Sequence, residues 1–385
     1  NFRCPIQAEN ETLDEVILSV ARNATKRSKI AEKVNIISVK DISNRRPTSG
    51  AELVSLSPGI RIQKSQGGGG SPVIRGFEAN RLLLVVDGVR LNNAIYRSGH
   101  LQNSLTIHPN MIERVEVVYG SSSVGYGSDA LGGVVHYYTK NPLINNEKKI
   151  RTQLSSDFST ANNSYINSIS TELSFKKWAS LTSLSYSDFG DIRMGRNRTQ
   201  GFENWGLNFL YSLNNRNTYS PDPVINLNPS IQKNTDYNQI DLLQKFLFKL
   251  NAENQLVVNF QYSNSSDIPR YDKLVETRNG FLRYAEWYYG PQKRLLFSPQ
   301  LKIFPRKKLL NSGKVTIAIQ NFEESRISRT FNSLTRIAKN EKVNSLSVNG
   351  DFEFKIDKKH AFAYGFEGVH NDVNSFASKK DLIIE

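Results

Sequence analysis

Between residues 164 and 366, the chain repeatedly alternates apolar and polar side chains at a period of two. Leu256, Val258, Phe260 and Tyr262 alternate with Gln255, Asn259 and Gln261. Ile169, Thr171, Leu173 and Phe175 alternate with Ser170, Glu172 and Ser174, and Leu346, Val348, Phe352 and Phe354 with Ser347, Asn349, Asp351 and Glu353 around Gly350. Val315, Ile317 and Ile319, then Phe362, Tyr364 and Phe366, repeat the pattern. Successive side chains of a strand point to opposite faces, so each segment has one apolar and one polar face. The polar face is too hydrophilic for the sealed core of a sandwich and is expected to line water or a plug. Short turns (Lys176-Lys177, Asn251 to Asn254) alternate with long polar stretches (about Asp188 to Asp236 and Ser263 to Pro291), as in outer-membrane barrels whose long loops face outside. Trp178, Tyr186, Tyr211 and Tyr262, near segment ends, are expected in interfacial girdles. A soluble β-sandwich is the competing architecture.

Hydropathy is consistent with this reading. The mean is −0.46, and no run reaches the ~18 apolar residues of a transmembrane helix. A barrel that hides its apolar face in every second residue keeps a low average. The formal charge of +14 is spread along the chain with only short basic clusters and no nucleic-acid motif, so no nucleic-acid partner is expected. Cys4 is the only cysteine, which rules out an internal disulfide or a cysteine-rich metal site.

Residues 71–142 differ in character. Short β-branched runs (Leu82 to Val86, Val115 to Tyr119, Val134 to Tyr138) sit between glycine-rich turns, as expected of a small sheet with tight connections. Asp87-Gly88 between LLLVV and VRL is a two-residue hairpin signal. Gly67 to Gly70 could suggest a phosphate cradle but lacks the lysine and hydroxyl of a P-loop and reads as a flexible loop, and Gly120 to Gly133, with no catalytic constellation nearby, reads as turns and close packing. Ser49 to Ser57 has helical spacing, with Ser49 as N-cap, Glu52 three residues on and Pro58-Gly59 as its stop. Upstream, CPIQA (residues 4–8) has the look of a processed leader's tail. TLDEVILSVAR (residues 12–22) could add as an exposed strand to a partner's sheet, or pack on the module behind it.

Nothing in the chain assembles a catalytic constellation, and no enzyme is expected. None of His100, His108, His136, His360 and His370 stands in a metal-ligand spacing, and no nucleophile elbow occurs. His108 before Pro109 reads as a turn residue, and His136 in its apolar strand as packed or barrel-facing. His100 lies in a polar loop, NNAIYRSGHLQN (residues 92–103), beside Tyr96 and Arg97. There it could ligate a haem iron axially, with Arg97 available to a propionate, or merely hydrogen-bond within its loop.

Taken together, these segments resemble the TonB-dependent outer-membrane receptors. VIRGF, LLVVDGVR, IERVEVVYG and YGSDALGGVVHYYTKNP stand in the order and separation of the family's plug, and TLDEVILSVAR looks like a TonB-box region. NNAIYRSGHLQN, SSDIPRYDKL (residues 265–274) and RYAEWYYGPQKRLL (residues 283–296) are similar to the haem and haemoglobin receptor subgroup. The resemblance implies a mixed α/β plug domain followed by antiparallel transmembrane β-barrel strands, in the outer membrane of a Gram-negative bacterium. The expected organisation is a signal-peptide remnant at 1–11, a TonB-box region and linker at 12–35, the plug at 36–142, and about ten barrel strands at 143–385. That wall is incomplete against a barrel of about 22 strands, and the chain reads as an N-terminal fragment.

The implied activity is active import of haem, or of iron from haemoglobin, energised through TonB and its inner-membrane complex. Haem is then a transported ligand and no cofactor is permanently bound. The implied partners are TonB, haem or haemoglobin, and outer-membrane lipid. His100 becomes the axial-ligand candidate with Tyr96 and Arg97 beside it, and Thr12, Leu13, Asp14, Glu15 and Val16 the candidates for contact with TonB. A ferric-siderophore receptor of the same superfamily is the alternative, with a surface adhesin or soluble binding module behind it.

Overall fold

The computed structural model describes residues 16–17, 25–26, 30, 32–64, 67, 69–78, 81–91, 94–95, 104–120, 125–213, 219–305, 310–356 and 360–382. A mixed sheet comes first, built from β1 (Val34–Ser38), β2 (Leu82–Val86), β3 (Val89–Arg90), β4 (Ile112–Tyr119) and β5 (Gly133–Thr139). Its order is β1-β4-β5-β2-β3, with β2 and β5 parallel and the other pairs antiparallel. Every residue of β2 is buried, because apolar clusters cover both faces of the sheet. Ile37, Leu53, Leu84, Val86, Val115 and Tyr137 pack on one side, and Val34, Leu83, Val85, Val118, Tyr126 and Val134 on the other. A strand covered on both faces reads as a continuous apolar run, as LLLVV does.

Two short helices close one side of this module. α1 (Val39–Arg45) has a full capping box: the Ser38 hydroxyl accepts from the Asp41 N–H, and the Asp41 carboxylate accepts from the Ser38 N–H. α2 (Gly50–Val54) is shorter than its sequence spacing implies. Ser49 caps it as expected, but Glu52 bonds the Thr48 N–H and hydroxyl instead of closing a box on Ser49. Between β4 and β5 the chain packs too closely for side chains. A Cβ on Gly133, at φ 149°, would lie 2.5 Å from the Val118 carbonyl oxygen.

Nine antiparallel strands of 11 to 21 residues follow, each long enough to cross a bilayer at a barrel's tilt. They are β6 (Lys149–Ser159), β7 (Ser164–Ser174), β8 (Trp178–Phe189), β9 (Tyr237–Lys249), β10 (Asn254–Ser265), β11 (Lys293–Ile303), β12 (Ser312–Thr330), β13 (Thr335–Lys355) and β14 (Ala361–Asp381). Each pairs with the next in chain order, and Tyr284–Tyr289 and Ile268–Pro269 extend the sheet beside the outer half of β12. Among the described residues β6 and β14 remain edges, so the wall is open.

The period-two pattern sorts as the side chains require. Ile317, Ile319, Leu346, Phe362, Tyr364 and Phe366 are exposed on the outer face, while Asn259, Gln261, Thr316, Gln320 and Asn349 are buried on the inner one. Phe175 stacks on Trp178, and Phe352 on Tyr364, at the end with the short connections. Phe158 and Tyr165 pair at the other end, where residues 190–236 and 266–292 form the long connections. Tyr211 is a correction: it lies in a two-stranded ladder with Val224 inside the first long connection, clear of the wall and its girdles.

Candidate functional site: the seat of the plug in the wall

The polar inner face of the wall meets the first module chiefly at one turn. Asp87 and Gly88 both have positive φ (49° and 89°), the geometry of a tight two-residue hairpin, and Asp tolerates that region better than most residues. The tip presents two backbone carbonyls and one carboxylate to the wall. Four strands, β9, β10, β11 and β13, answer it with polar side chains, and β12 and β14 hold Arg90 just beyond it.

The Asp87 carboxylate is the hub. Inside the module it accepts from the Thr139 N–H (2.9 Å) and hydroxyl (2.6 Å). From the wall it accepts from Asn259 (2.9 Å) and Gln261 (3.1 Å), and Lys245 Nζ lies 3.1 Å away. The lysine side chain is 2% exposed and the carboxylate 8%, so this pair is almost wholly removed from water. Lys245 also donates to the Thr139 carbonyl and to the Asn141 side chain. Gln300 donates to the Asp87 carbonyl, Asn349 to that of Gly88 and Gln320 to that of Arg90. The Arg90 guanidinium pairs with Glu367 at 2.6 Å and donates to the Ser128 carbonyl.

Beneath the turn, the Gly88 N–H donates to His136 Nε2 (3.0 Å). The His136 proton therefore sits on Nδ1, facing the Tyr126 and Tyr138 hydroxyls at 3.1 and 3.0 Å. The packed role expected of His136 holds. His108 does more than make a turn. Its Nδ1 accepts from the Asn110 N–H, so Nε2 carries the proton toward Ser187 Oγ of β8 at 3.3 Å. Complete burial pulls its pKa down to about 4, with nearby Lys140 adding to the effect. Asn110 donates to Ser168, and Gln239 to the Leu105 carbonyl. Apolar contacts with the wall stand beside these: Leu296 and Ala318 join the module's core cluster, Leu105 packs with Ile166, Phe189, Tyr237 and Ile268, and Met111 packs with Leu181 and Leu243.

Around Asp87 the seat is made of hydrogen bonds and ion pairs, which water can replace once the plug moves, with apolar packing at Leu105 and Met111 to one side. Sequence reading placed a turn at Asp87-Gly88 but did not identify Asp87 as the hub. The polar residues of β9 to β14 were legible as a lumen face, and Asp87 is the one acid at a turn directed at that face.

His100, Tyr96 and Arg97 lie outside the described residues, as do Thr12, Leu13, Asp14 and Glu15. Val16–Ile17 is a two-residue strand paired with Thr25–Lys26, and Ile17 is fully buried in the cluster of Leu83, Val118 and Val134. Of the two readings of residues 12–22, packing on the module holds for Ile17.

The model of the TonB-dependent Receptor Plug Domain matches residues 26–134. The chain is 35% identical over 133 residues to the vitamin B12 transporter BtuB of Vibrio vulnificus (strain CMCP6), a match covering 34% of this chain and 21% of that protein. Among solved structures, the copper transporter OprC superposes with a TM-score of 0.66 at 13% identity, over 87% of this chain and 44% of that one. A double mutant of the Serratia marcescens hemophore receptor HasR, in complex with its hemophore HasA and heme, gives 0.64 at 16% identity, over 91% and 46%. This chain therefore spans less than half of each of these structures. The fold and the plug match locate the chain in the outer membrane of a Gram-negative bacterium. Residues 26–134 thus match the TonB-dependent receptor plug domain, and the strands that follow share their fold with the outer-membrane transporter and receptor structures superposed above.

Proposed function

We propose that this chain is the plug and first wall strands of a TonB-dependent importer that takes haem, free or drawn from haemoglobin, across the outer membrane. The observation that carries the transport reading is the Asp87 seat. Polar contacts from six wall strands hold residues 87–90 of the plug, and contacts of this kind can be exchanged for water when force on the segment preceding the plug shifts it. The haem reading rests on NNAIYRSGHLQN and the two subgroup-like segments of the wall. Likeness to the hemophore receptor supports it at the level of fold. In this reading His100 is the axial ligand, Tyr96 and Arg97 flank it, and Thr12 to Val16 engage TonB.

Haemin titration of the receptor tests the cargo. Wild type should develop a ligated Soret band, and His100→Ala should lose or shift it. An unchanged band and affinity in the variant would remove His100 from the site. Deletion of residues 12–22 should abolish uptake while leaving haemin binding intact. A corrinoid or other metal chelate is the second reading, favoured by the 35% identity to the vitamin B12 transporter across the plug region. Saturable cyanocobalamin binding without a haemin response would select it.

A further inference from the structure

On the short-connection side of the seat, plug and wall enclose a cavity of about 270 Å³. The plug contributes Asp87, Gly88 and His136, and the wall contributes Lys245, Lys302 and Lys314. Three lysines thus face a single carboxylate. Lys245 is committed to Asp87 at 3.1 Å, and Lys314 to Asp351 at 3.2 Å. Lys302 has no carboxylate within ion-pair distance among the described residues. It stands directly opposite Lys314 in the register of β11 and β12. Like charges opposed across a strand pair are destabilising, and here both line the same cavity. Lys314 also reaches the turn, since a Cβ on Gly88 would lie 3.5 Å from its Nζ. A further buried cation with spare donors lies further out on the same inner face. Arg294 is buried and bonds Gln261, while its Nε and Nη1 have no hydrogen-bond partner among the described residues.

We infer that this cavity is a binding subsite for a small anion, a carboxylate or phosphate group held by Lys302 and Lys314 against the Asp87-Gly88 turn. The anion supplies the close counter-charge that Lys302 lacks and relieves its opposition to Lys314. Lys302 offers an ammonium with no carboxylate at ion-pair distance among the described residues, and Lys314 shares its charge between Asp351 and the cavity. The site adjoins the seat, so a ligand there touches the same turn that β9, β10, β11 and β13 hold. Its role rests on the transport reading: it receives acidic groups of a cargo on the inner side of the seam, after Arg294 has offered them a cation further out. Its existence does not depend on that reading, because a free periplasmic anion satisfies the same chemistry.

Equilibrium dialysis of the purified receptor at low ionic strength against radiolabelled citrate, and separately against inorganic phosphate, tests it without any uptake step. Wild type should bind at least one of them saturably, one per chain. Lys302→Gln and Lys314→Gln should each weaken that binding at least tenfold, and Lys380→Gln, an exposed position at the outer end of β14, should leave it unchanged. Displacement of the anion by haemin would assign the site to cargo, and its retention to free periplasmic anions. No saturable binding of either probe, or equal binding by wild type and both lysine variants, would overturn the inference whether or not the receptor transports haem.

Discussion

Replacing Asp87 with Asn isolates the electrostatics of the seat. Asn is at home at the first position of a two-residue turn before Gly, so the backbone at φ 49° is preserved. What changes is the charge facing Lys245, whose side chain is 2% exposed and has no other carboxylate at ion-pair distance among the described residues. Removing one partner of a buried pair strands the other, at a cost of about 3–5 kcal/mol. At about 1.4 kcal/mol per tenfold, seat opening should rise by roughly two to three and a half orders of magnitude. Lys245→Met should cost less, because Asp87 keeps Thr139, Asn259 and Gln261 as donors. In the double variant much of the Asp87→Asn penalty should disappear, since no charge is left stranded. Hydrogen–deuterium exchange read by mass spectrometry on peptides spanning 81–91 and 133–142 measures opening directly, with wall peptides of β7 and β8 as the internal control. Equal exchange in Asp87→Asn and wild type, or a larger effect from Lys245→Met, would refute the assignment of Asp87 as the hub.

The other predictions concern the plug core and the wall. His108 has its pKa lowered from 6.5 to about 4 by burial, so the unfolded chain binds the extra proton first and plug stability falls as pH drops through that window. Thermal melts between pH 7 and 4.5 should show this loss, and His108→Gln should flatten it. Gly133→Ala forces a Cβ toward the Val118 carbonyl at φ 149° and should lower plug stability by about 1–3 kcal/mol, read as protease sensitivity of residues 112–139. Leu346→Arg on the outer face should cost about 2–4 kcal/mol near the membrane midplane and reduce heat-modifiable, assembled protein. Ser347→Arg, one residue on and facing inward, should assemble normally.

Much of the wall was legible because its code is local. Alternation in residues 254–264 or 345–354 assigns each side chain to a face before any partner strand is known. The mixed plug sheet was legible for a related reason: β2 and β5 are apolar throughout, and their flanking turns carry Gly and Asp. α1 was overlooked, although Ser38-x-x-Asp41 is a capping signature, since a seven-residue helix has too few apolar positions to show a period. The seat could not be read. Asp87 and Asn349 are 262 residues apart, and only folding brings the turn within reach of that side chain. Tyr211 was misplaced because an aromatic in a loop ladder and one in a girdle look alike over two residues.

A reversible tether across the seat tests the central claim most directly. Arg90 and Glu367 meet through their side-chain tips at 2.6 Å, so cysteines at these positions, with Cys4 replaced by Ser, can be joined by a reducible bis-thiol cross-linker that spans the length of the two lost side chains. Iron-starved cells given haemin as their sole iron source then report whether the plug must leave its seat. The account predicts growth with the receptor reduced and none with it tethered, at equal receptor levels and equal haemin binding. Equal growth in both states would contradict it.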